Sequence, residues 1–493
     1  MRLRSGVVAV IGVLLLSACT DEPAARRSTG PSFAAGAAQA ARTYVVIGSD
    51  NALPADFASR VAAAGGSVSN ALDAIGVAVV SSEDPSFAAA LRGSEGIDAV
   101  AEDVMIDFGM PHVAGEEVAD FGEPVLGDAA HIGAVETFRG VQWAPDAISA
   151  PAAWDLGHQG AGARVAILDG GIRNTHIDIA PNLDVARSAS FVPGQPYNFD
   201  QARNALGQCV LNDTFWHGTH VAGIVGAPAN NIGTVGIAPQ ATLIGVKVLH
   251  CGSGSFSWIM QGIYYAATPI TEGGAGAHII NMSLGGRVVK NANTESLLSA
   301  LSRATSYARQ RGVTVIAAAG NDTTDIDHTR NLVFVPAQSV GVISVSATAP
   351  RGWGIGPANL DVPTLYTNFG QSAITLAGPG GGSALAGTPA GNGVCVKPRF
   401  PSGSVAQLCW VLDLVMSTCR GSGTSNSTYC WAAGTSMAAP AVAGVAALII
   451  GKHGPMHPAQ VEAILRQSAD DLGKPGNDDF YGRGRVNALR AVQ

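Results

Sequence analysis

Arg164-Val-Ala-Ile-Leu-Asp-Gly-Gly171 is a short apolar run that ends on an acid followed by two glycines. Four consecutive aliphatic residues suit a strand buried on both faces, and the Asp-Gly pair marks where the chain turns off it. The same pattern recurs downstream. Segments 245–249, 277–283, 313–319 and 342–347 read as further apolar strands, with helical spacing at 258–267 and 295–309 between them. Strands alternating with helices predict a three-layer α/β domain over 141–493, with a parallel central sheet covered on both faces. The glycine-rich stretches 378–382 and 421–427 read as loops inserted late in it. In such sheets functional groups gather at the carboxyl ends of the strands, which places Asp169 well. Taken alone, Asp169-Gly170 is equally a plain turn.

Upstream, segments 43–48, 76–82 and 97–104 read as strands, and 55–64 and 86–92 as helices. A 43–107 unit of this kind predicts a small α+β, ferredoxin-like module. Residues 108–140 show no period and read as an exposed linker, and 20–42 as a flexible tether. The first nineteen residues have a basic start, an apolar run over 7–16 and then small residues, which is an export signal. Its end, Leu16-Ser-Ala-Cys19, resembles a bacterial lipobox. By that resemblance Cys19 is lipidated and a membrane surface becomes a partner; the alternative is an ordinary signal cut after Ala18. Both readings take the protein out of the cytoplasm, to the cell envelope or beyond.

Composition narrows the classes. The chain has 493 residues, 47% of them hydrophobic and only 13% charged, with 62 glycines. That describes a large core with many tight turns, and excludes wholesale disorder. The net charge of −8 argues against nucleic acid as a partner. No uninterrupted apolar run after residue 20 reaches the ~18 residues of a spanning helix. Six cysteines remain beyond Cys19, an even number suited to disulfides in an oxidising compartment. Fifteen connectivities exist. Proximity in sequence favours Cys395–Cys409 and Cys419–Cys430, which leaves Cys209 with Cys251.

Two further segments carry chemistry. His217-Gly-Thr-His-Val-Ala-Gly223 places an imidazole at the start of a small-residue helix, where it can act as a general base. His217 and His220 could instead bind zinc, yet the glutamate of a His-Glu-x-x-His arrangement is missing. Gly434-Thr-Ser-Met-Ala-Ala-Pro440 places Ser436 where an alanine-rich helix begins, beside unpaired backbone N–H groups that favour an oxyanion. Alone it could be a capping serine. Together, in the order Asp169, His217, Ser436, these segments resemble the subtilisin-like serine proteases. Asn281-Met-Ser-Leu-Gly-Gly286, Ala317-Ala-Ala-Gly-Asn321 and Tyr481-Gly-Arg-Gly-Arg-Val-Asn487 extend the resemblance across 141–493.

That resemblance implies a serine endopeptidase acting on polypeptide substrates through an acyl-enzyme. Ser436 would be the nucleophile, His217 its base and Asp169 the group that orients the imidazole. Asn321 would supply an oxyanion donor. Gly252, Ser253 and Gly254, with Ser283, Leu284 and Gly285, would form two edges that pair with substrate. Ala319, Gly320 and Phe334 would line the pocket for the side chain preceding the scissile bond, and favour small or medium apolar groups. No cofactor is required for the chemistry. A structural calcium is implied on Asp178 and Asn230, with carbonyls of Pro228, Ile232 and Thr234; Arg139 falls near the place of a further, N-terminal ligand. As an alternative, Asp178 and Asn230 only cap turns. The 43–107 module resembles a propeptide, which implies an intramolecular inhibitor and a self-processing zymogen. Gly170 departs from the family, where Ser or Thr is usual, and so does the bulky Phe334. A degenerate protease that only binds peptides is the alternative function. A nucleotide-binding enzyme fits less well, because Gly378-Pro-Gly-Gly-Gly382 lacks the Lys-Ser/Thr of a phosphate loop.

Overall fold

The computed structural model describes residues 41–108, 112–118, 132–133, 135–203, 208–210, 216–420 and 426–493. The expected signal segment with Cys19, and nearly all of the tether, lie outside the described residues.

The N-terminal module is a four-stranded antiparallel sheet of β1 (Arg42–Gly48), β2 (Gly66–Leu72), β3 (Val77–Ser82) and β4 (Ile97–Glu102), in the order β2-β3-β1-β4. Strand alternation explains why β1 reads Tyr-Val-Val-Ile without a polar break. Tyr44 and Val46 face α1 (Phe57–Ala63) and α2 (Phe87–Leu91), packing with Phe57, Val61, Phe87 and Leu91. Val45 and Ile47 face the other way and join the core of the larger body. β2 is the strand of the ferredoxin-like order to which the sequence pattern gives no range: Ser67 and Ser69 are exposed, and Val68 and Asn70 half-buried, at the sheet edge.

The module then docks two short strands. β5 (Met105–Asp107) is followed, beyond residues 109–111, by β6 (His112–Val118). The expected exposed linker is therefore partly built into the structure. β6 adds to an existing sheet edge through its backbone, so it needs no apolar period. Further on, Glu136 and Phe138 are fully buried.

The large body is built on β7 (Arg164–Asp169), β8 (Thr242–Lys247), β10 (Ile279–Met282), β11 (Thr314–Ala318), β12 (Val342–Ala349) and β13 (Leu376–Pro379), with the short β9 (Ser253–Ser255) outside that sheet. The central order is β13-β12-β11-β10-β7-β8, all parallel. Two-residue strands add to it: Ala189–Ser190 is parallel to the edge strand β8, and Val362–Pro363 is antiparallel to the end of β12. Helices α4 (Phe256–Ala267) and α5 (Ala292–Gln310) cover the face that also meets the module. On the opposite face, α3 (His217–Gly226) and α6 (Thr435–His453) share one continuous core with the sheet. The predicted α/β class holds. Two details differ. The strand expected at 245–249 ends at Lys247, because the N–H groups of Val248 and Leu249 both turn onto the Asp169 carbonyl (2.9 and 3.2 Å). Glycine-rich 378–382 is not simply a loop, since its first two residues end β13.

Strands β14 (Val415–Cys419) and β15 (Thr428–Ala433) pair antiparallel, and β6 joins β15 as the third strand. Three disulfides, Cys209–Cys251, Cys395–Cys409 and Cys419–Cys430, match the pairing favoured by sequence proximity.

The module is gripped at several points. Asn293, in the first turn of α5, exchanges two hydrogen bonds with the backbone of Glu102 (2.8 and 2.9 Å). Arg303 donates to the Gly48 and Ile75 carbonyls and pairs with Asp98 at 3.3 Å. Asn70 donates to Gln261 on α4.

Candidate active site

Three elements deliver the three side chains singled out by the sequence. β7 ends on Asp169, α3 begins at His217, and α6 begins one residue before Ser436. His217 Nδ1 lies 2.9 Å from both Asp169 carboxylate oxygens, and both side chains are buried. Gly218 makes that approach possible. A Cβ there would overlap the Gly171 carbonyl and stand 3.1 Å from the Asp169 carboxyl carbon. Burial alone would lower the His217 pKa, but the charge and hydrogen bond of Asp169 hold it above the ordinary 6.5.

The start of α6 follows from its sequence. Pro440 has no N–H, so the Ser436 carbonyl four residues earlier has no helical donor. Ser283 Oγ fills that place, donating to Ser436 O at 2.7 Å, and Asn281 Nδ2 donates to Ser283 Oγ at 3.0 Å. The Ser436 hydroxyl in turn donates to the Ser283 carbonyl at 3.1 Å. To give its proton to an imidazole, Ser436 must redirect this hydrogen.

Asn321 is held by its acceptor end. Oδ1 takes the Thr435 backbone N–H and the Thr435 hydroxyl, both at 2.9 Å. A backbone N–H can only donate, so this contact fixes which end of the amide is oxygen. The NH2 end is thereby kept for another acceptor. Thr435 Oγ1 also accepts the Gly320 N–H at 3.1 Å, tying the Gly320-Asn321 turn to the helix that carries Ser436.

One of the two expected substrate edges, Gly252–Gly254, already holds a peptide, the chain's own β5. Ser253, Gly254 and Ser255 pair antiparallel with Asp107, Ile106 and Met105, and Gly252 O accepts the Phe108 N–H at 2.9 Å. Ser253 Oγ also donates to Asp107. Ile106 and Phe108 are buried in one core with Leu249, Leu284 and Val288. Gly285 lies against the Gly320 backbone. Phe334 is buried among Ala319, Ile326 and Ile374, so its ring fills space behind Ala319. His220, the second imidazole of the zinc alternative, is buried with Nε2 3.2 Å from the Cys430 carbonyl, and burial pushes its pKa down to about 3.

The calcium-ligand candidates form a second cluster. Asp178 is fully buried and accepts from Asn230 Nδ2 (3.0 Å), Thr234 N (2.9 Å) and Tyr429 OH (3.1 Å). Arg139 is not its neighbour; it pairs with Asp146 instead. The further acid is Glu136, whose two buried carboxylate oxygens have only the nearby amides of Asn230, Asn231 and Ile232 as donors, none in full hydrogen-bond geometry. Burial pushes the Glu136 carboxyl up to about 7, although the amides of Asn230, Asn231 and Ile232 oppose this. Burial and the charge of Glu136 also raise Asp178. Two buried acids side by side, one of them with both oxygens unsatisfied, fit a hard cation.

Sequence reasoning quoted Thr435 and Asn281 without giving them roles, and missed Glu136, Lys247 and Asp200. Lys247 left a signal, being the one charged residue in an apolar strand. Asp200 and Glu136 left none.

The fold and this constellation define a hydrolase of the serine-nucleophile class. Residues 160–484 match the model of the subtilase family, Peptidase_S8. The chain is 33% identical over 358 residues to M-protease of Shouchella clausii, covering 72% of this chain and 70% of that protein. It is 32% identical to Subtilisin Savinase of Lederbergia lenta over 72% of this chain and 100% of that one. The crystal structure of the epidermin leader peptide processing serine protease of Staphylococcus aureus is similar with a TM-score of 0.68 at 22% identity. That likeness of fold spans 92% of this chain and 98% of the other, more than the large body alone could supply. The chain belongs to the subtilase family and is a subtilisin-like serine endopeptidase.

Replacing Thr435 with valine keeps the shape but removes the hydroxyl that joins Gly320 N to Asn321 Oδ1. Steady-state kinetics of Thr435→Val are expected to show kcat reduced about ten-fold, ~1.4 kcal/mol, with KM nearly unchanged. An unchanged kcat would remove Thr435 from this role.

Proposed function

We propose that this chain is exported, secreted or lipid-anchored, as a zymogen, and that it processes itself to a serine endopeptidase freed from the segment that carries Cys19. One observation carries the zymogen reading: the module's own strand β5 lies antiparallel on Ser253–Ser255, as a substrate would. Export and the lipid on Cys19 rest on the N-terminal sequence alone.

In the proposed reaction, Ser436 Oγ attacks the peptide carbonyl and its proton passes to His217 Nε2. Asp169 keeps the other ring nitrogen protonated and stabilises the imidazolium. The oxyanion accepts from Asn321 Nδ2 and the Ser436 backbone N–H; losing one such amide donor costs about 10²–10³ in rate, a magnitude established on subtilisin itself. His217 then protonates the leaving amine, and water repeats the sequence in reverse to release the acid. Gly252–Gly254 and Ser283–Gly285 hold the substrate strand. Ala319, Gly320 and Phe334 shape an apolar pocket without a charge, which suits small or medium apolar side chains before the cut.

The first substrate is the chain itself. β5 ends at Asp107 on one side of the site, and β6 starts at His112 on β15, the strand that leads into Ser436. These positions support self-cleavage after Phe108 and before His112. Ser436→Ala removes one oxygen, so the variant is expected to fold and to persist as a precursor ~10 kDa heavier than the mature enzyme. N-terminal sequencing of wild type should begin within 109–112. A Ser436→Ala protein that matured with no other protease present would refute the nucleophile and the zymogen reading together.

The base must be neutral to accept a proton, so activity is lost as pH falls through the His217 pKa. That pKa is raised, so the acid limb of kcat/KM is expected to be centred above 6.5, the ordinary imidazole value. A limb centred below 6.5 would contradict the electrostatics assigned to Asp169.

Calcium on Glu136, Asp178, Asn230 and the carbonyls of Pro228, Ile232 and Thr234 would supply stability rather than chemistry. Differential scanning fluorimetry should show a lower melting temperature with a chelator and recovery with added calcium. Glu136→Gln should lose that response; a response that persists in full would exclude Glu136 as a ligand.

A further inference from the structure

Gly170 is the position at which the sequence departs from its family beside the catalytic acid, and the structure fills the missing side chain from elsewhere. Lys247, the last residue of β8, is in register with Asp169 on β7, and its side chain is wholly enclosed. An enclosed ammonium must be met by fixed acceptors. Nζ donates to the Gly170 carbonyl oxygen and lies 3.6 Å from Asp200 Oδ1. Asp200 is itself buried, and Oδ1 also accepts the Gln201 N–H at 2.9 Å. It arrives from the excursion between β7 and α3, thirty-one positions beyond Asp169 in the chain.

The carboxylate of Asp200 rests directly on Gly170. A Cβ built at 170 would overlap Asp200 Oδ2 and stand only 2.8 Å from Cγ and Oδ1. A side chain at 170 would therefore force the Asp200 carboxylate to shift. The Gly170 N–H meanwhile donates to Asp169 Oδ1 at 2.7 Å, one of the two oxygens that face His217 Nδ1. Gly170 is held at three points. Its N–H is on Asp169, its carbonyl on Lys247, and its Cα against Asp200.

We propose that Asp200 is a positioning residue for the catalytic acid, its carboxylate taking the space of a side chain at position 170 and, with Lys247, fixing the residue whose N–H orients Asp169. The proposal rests on reading Asp169 and His217 as the catalytic pair. Among the described residues, the charged and titratable groups facing Asp200 are Asp169 from β7, Lys247 from β8 and His217 from α3. Burial pushes the Asp200 carboxyl up to about 7; Lys247 opposes the rise and Asp169 adds to it. Asp200 in turn adds to the rise of the His217 pKa.

The test is a substitution set on purified enzyme, with kcat, KM and the pH profile measured on a chromogenic peptide and active sites counted by a covalent serine probe. Gly170→Ser places a Cβ where the Asp200 carboxylate sits, so kcat per active site should fall at least ten-fold with little change in KM. Gly170→Ser with Asp200→Gly removes the overlap and should recover at least three-fold over Gly170→Ser alone. Asp200→Asn keeps the shape and removes the charge beside His217, so its acid limb should move to lower pH. A fully active Gly170→Ser, a double variant no better than Gly170→Ser, or an unmoved acid limb in Asp200→Asn would each overturn the proposal. Variants too slow for turnover are scored by the rate of precursor conversion. His217→Ala, run in parallel, separates the two readings: if it retained full activity, the catalytic pair itself would be wrong, whatever Asp200 does.

Discussion

An imidazole buried against a buried carboxylate is the contact on which the rest of this molecule is arranged. Removing two ionisable groups from water costs several kcal/mol for each one that becomes charged, and only close, fixed partners offset that cost. Asp169 finds them in His217 Nδ1 and in the Gly170 N–H. The backbone beneath is equally constrained, since the N–H groups of Val248 and Leu249 converge on the Asp169 carbonyl. A parallel sheet is what makes this practicable. It ends several strands at one level, so β7 and β8 can bring Asp169 and Lys247 side by side while two helices begin above them.

The serine is placed by the same economy of backbone groups. Pro440 frees the Ser436 carbonyl for Ser283, and Thr435 links Asn321 to the first turn of α6. Each is a small polar residue spent on a helix terminus, and each ties a separate strand end to α6. The apolar remainder of α6 is enclosed by the sheet and α3, which gives the reactive end a rigid support. The module uses the opposite face, through the apolar side of β1 and the hydrogen bonds of Asn293 and Arg303. Its trailing strand then occupies the edge at Ser253–Ser255.

Much of this was legible in the chain. The run 164–168 reads as a buried strand, and the order of strands and helices in 43–107 predicts a two-layer module, because periods of 2 and 3.6 record which faces are covered. Asp169 and His217, proposed from separate segments, do meet. What escaped were contacts whose partners lie far apart in sequence and carry no period. Asp200 and Glu136 are lone acids in irregular stretches, and only the folded chain reveals that one rests on Gly170 and the other faces Asp178. β6 escaped for another reason: a strand bound by its backbone to an existing edge leaves no mark in its side chains. Gly170 was visible as an anomaly, but its explanation lay thirty residues away.

The central claim is that Ser436 is a nucleophile activated by His217. Its most direct measurement is covalent labelling of the purified enzyme with a fluorophosphonate, followed by mass-spectrometric mapping of the modified residue. The account predicts one equivalent of label on Ser436, formed quickly in wild type and slowed by orders of magnitude in His217→Ala. Label on a different residue, or labelling of Ser436 at an undiminished rate without His217, would contradict it.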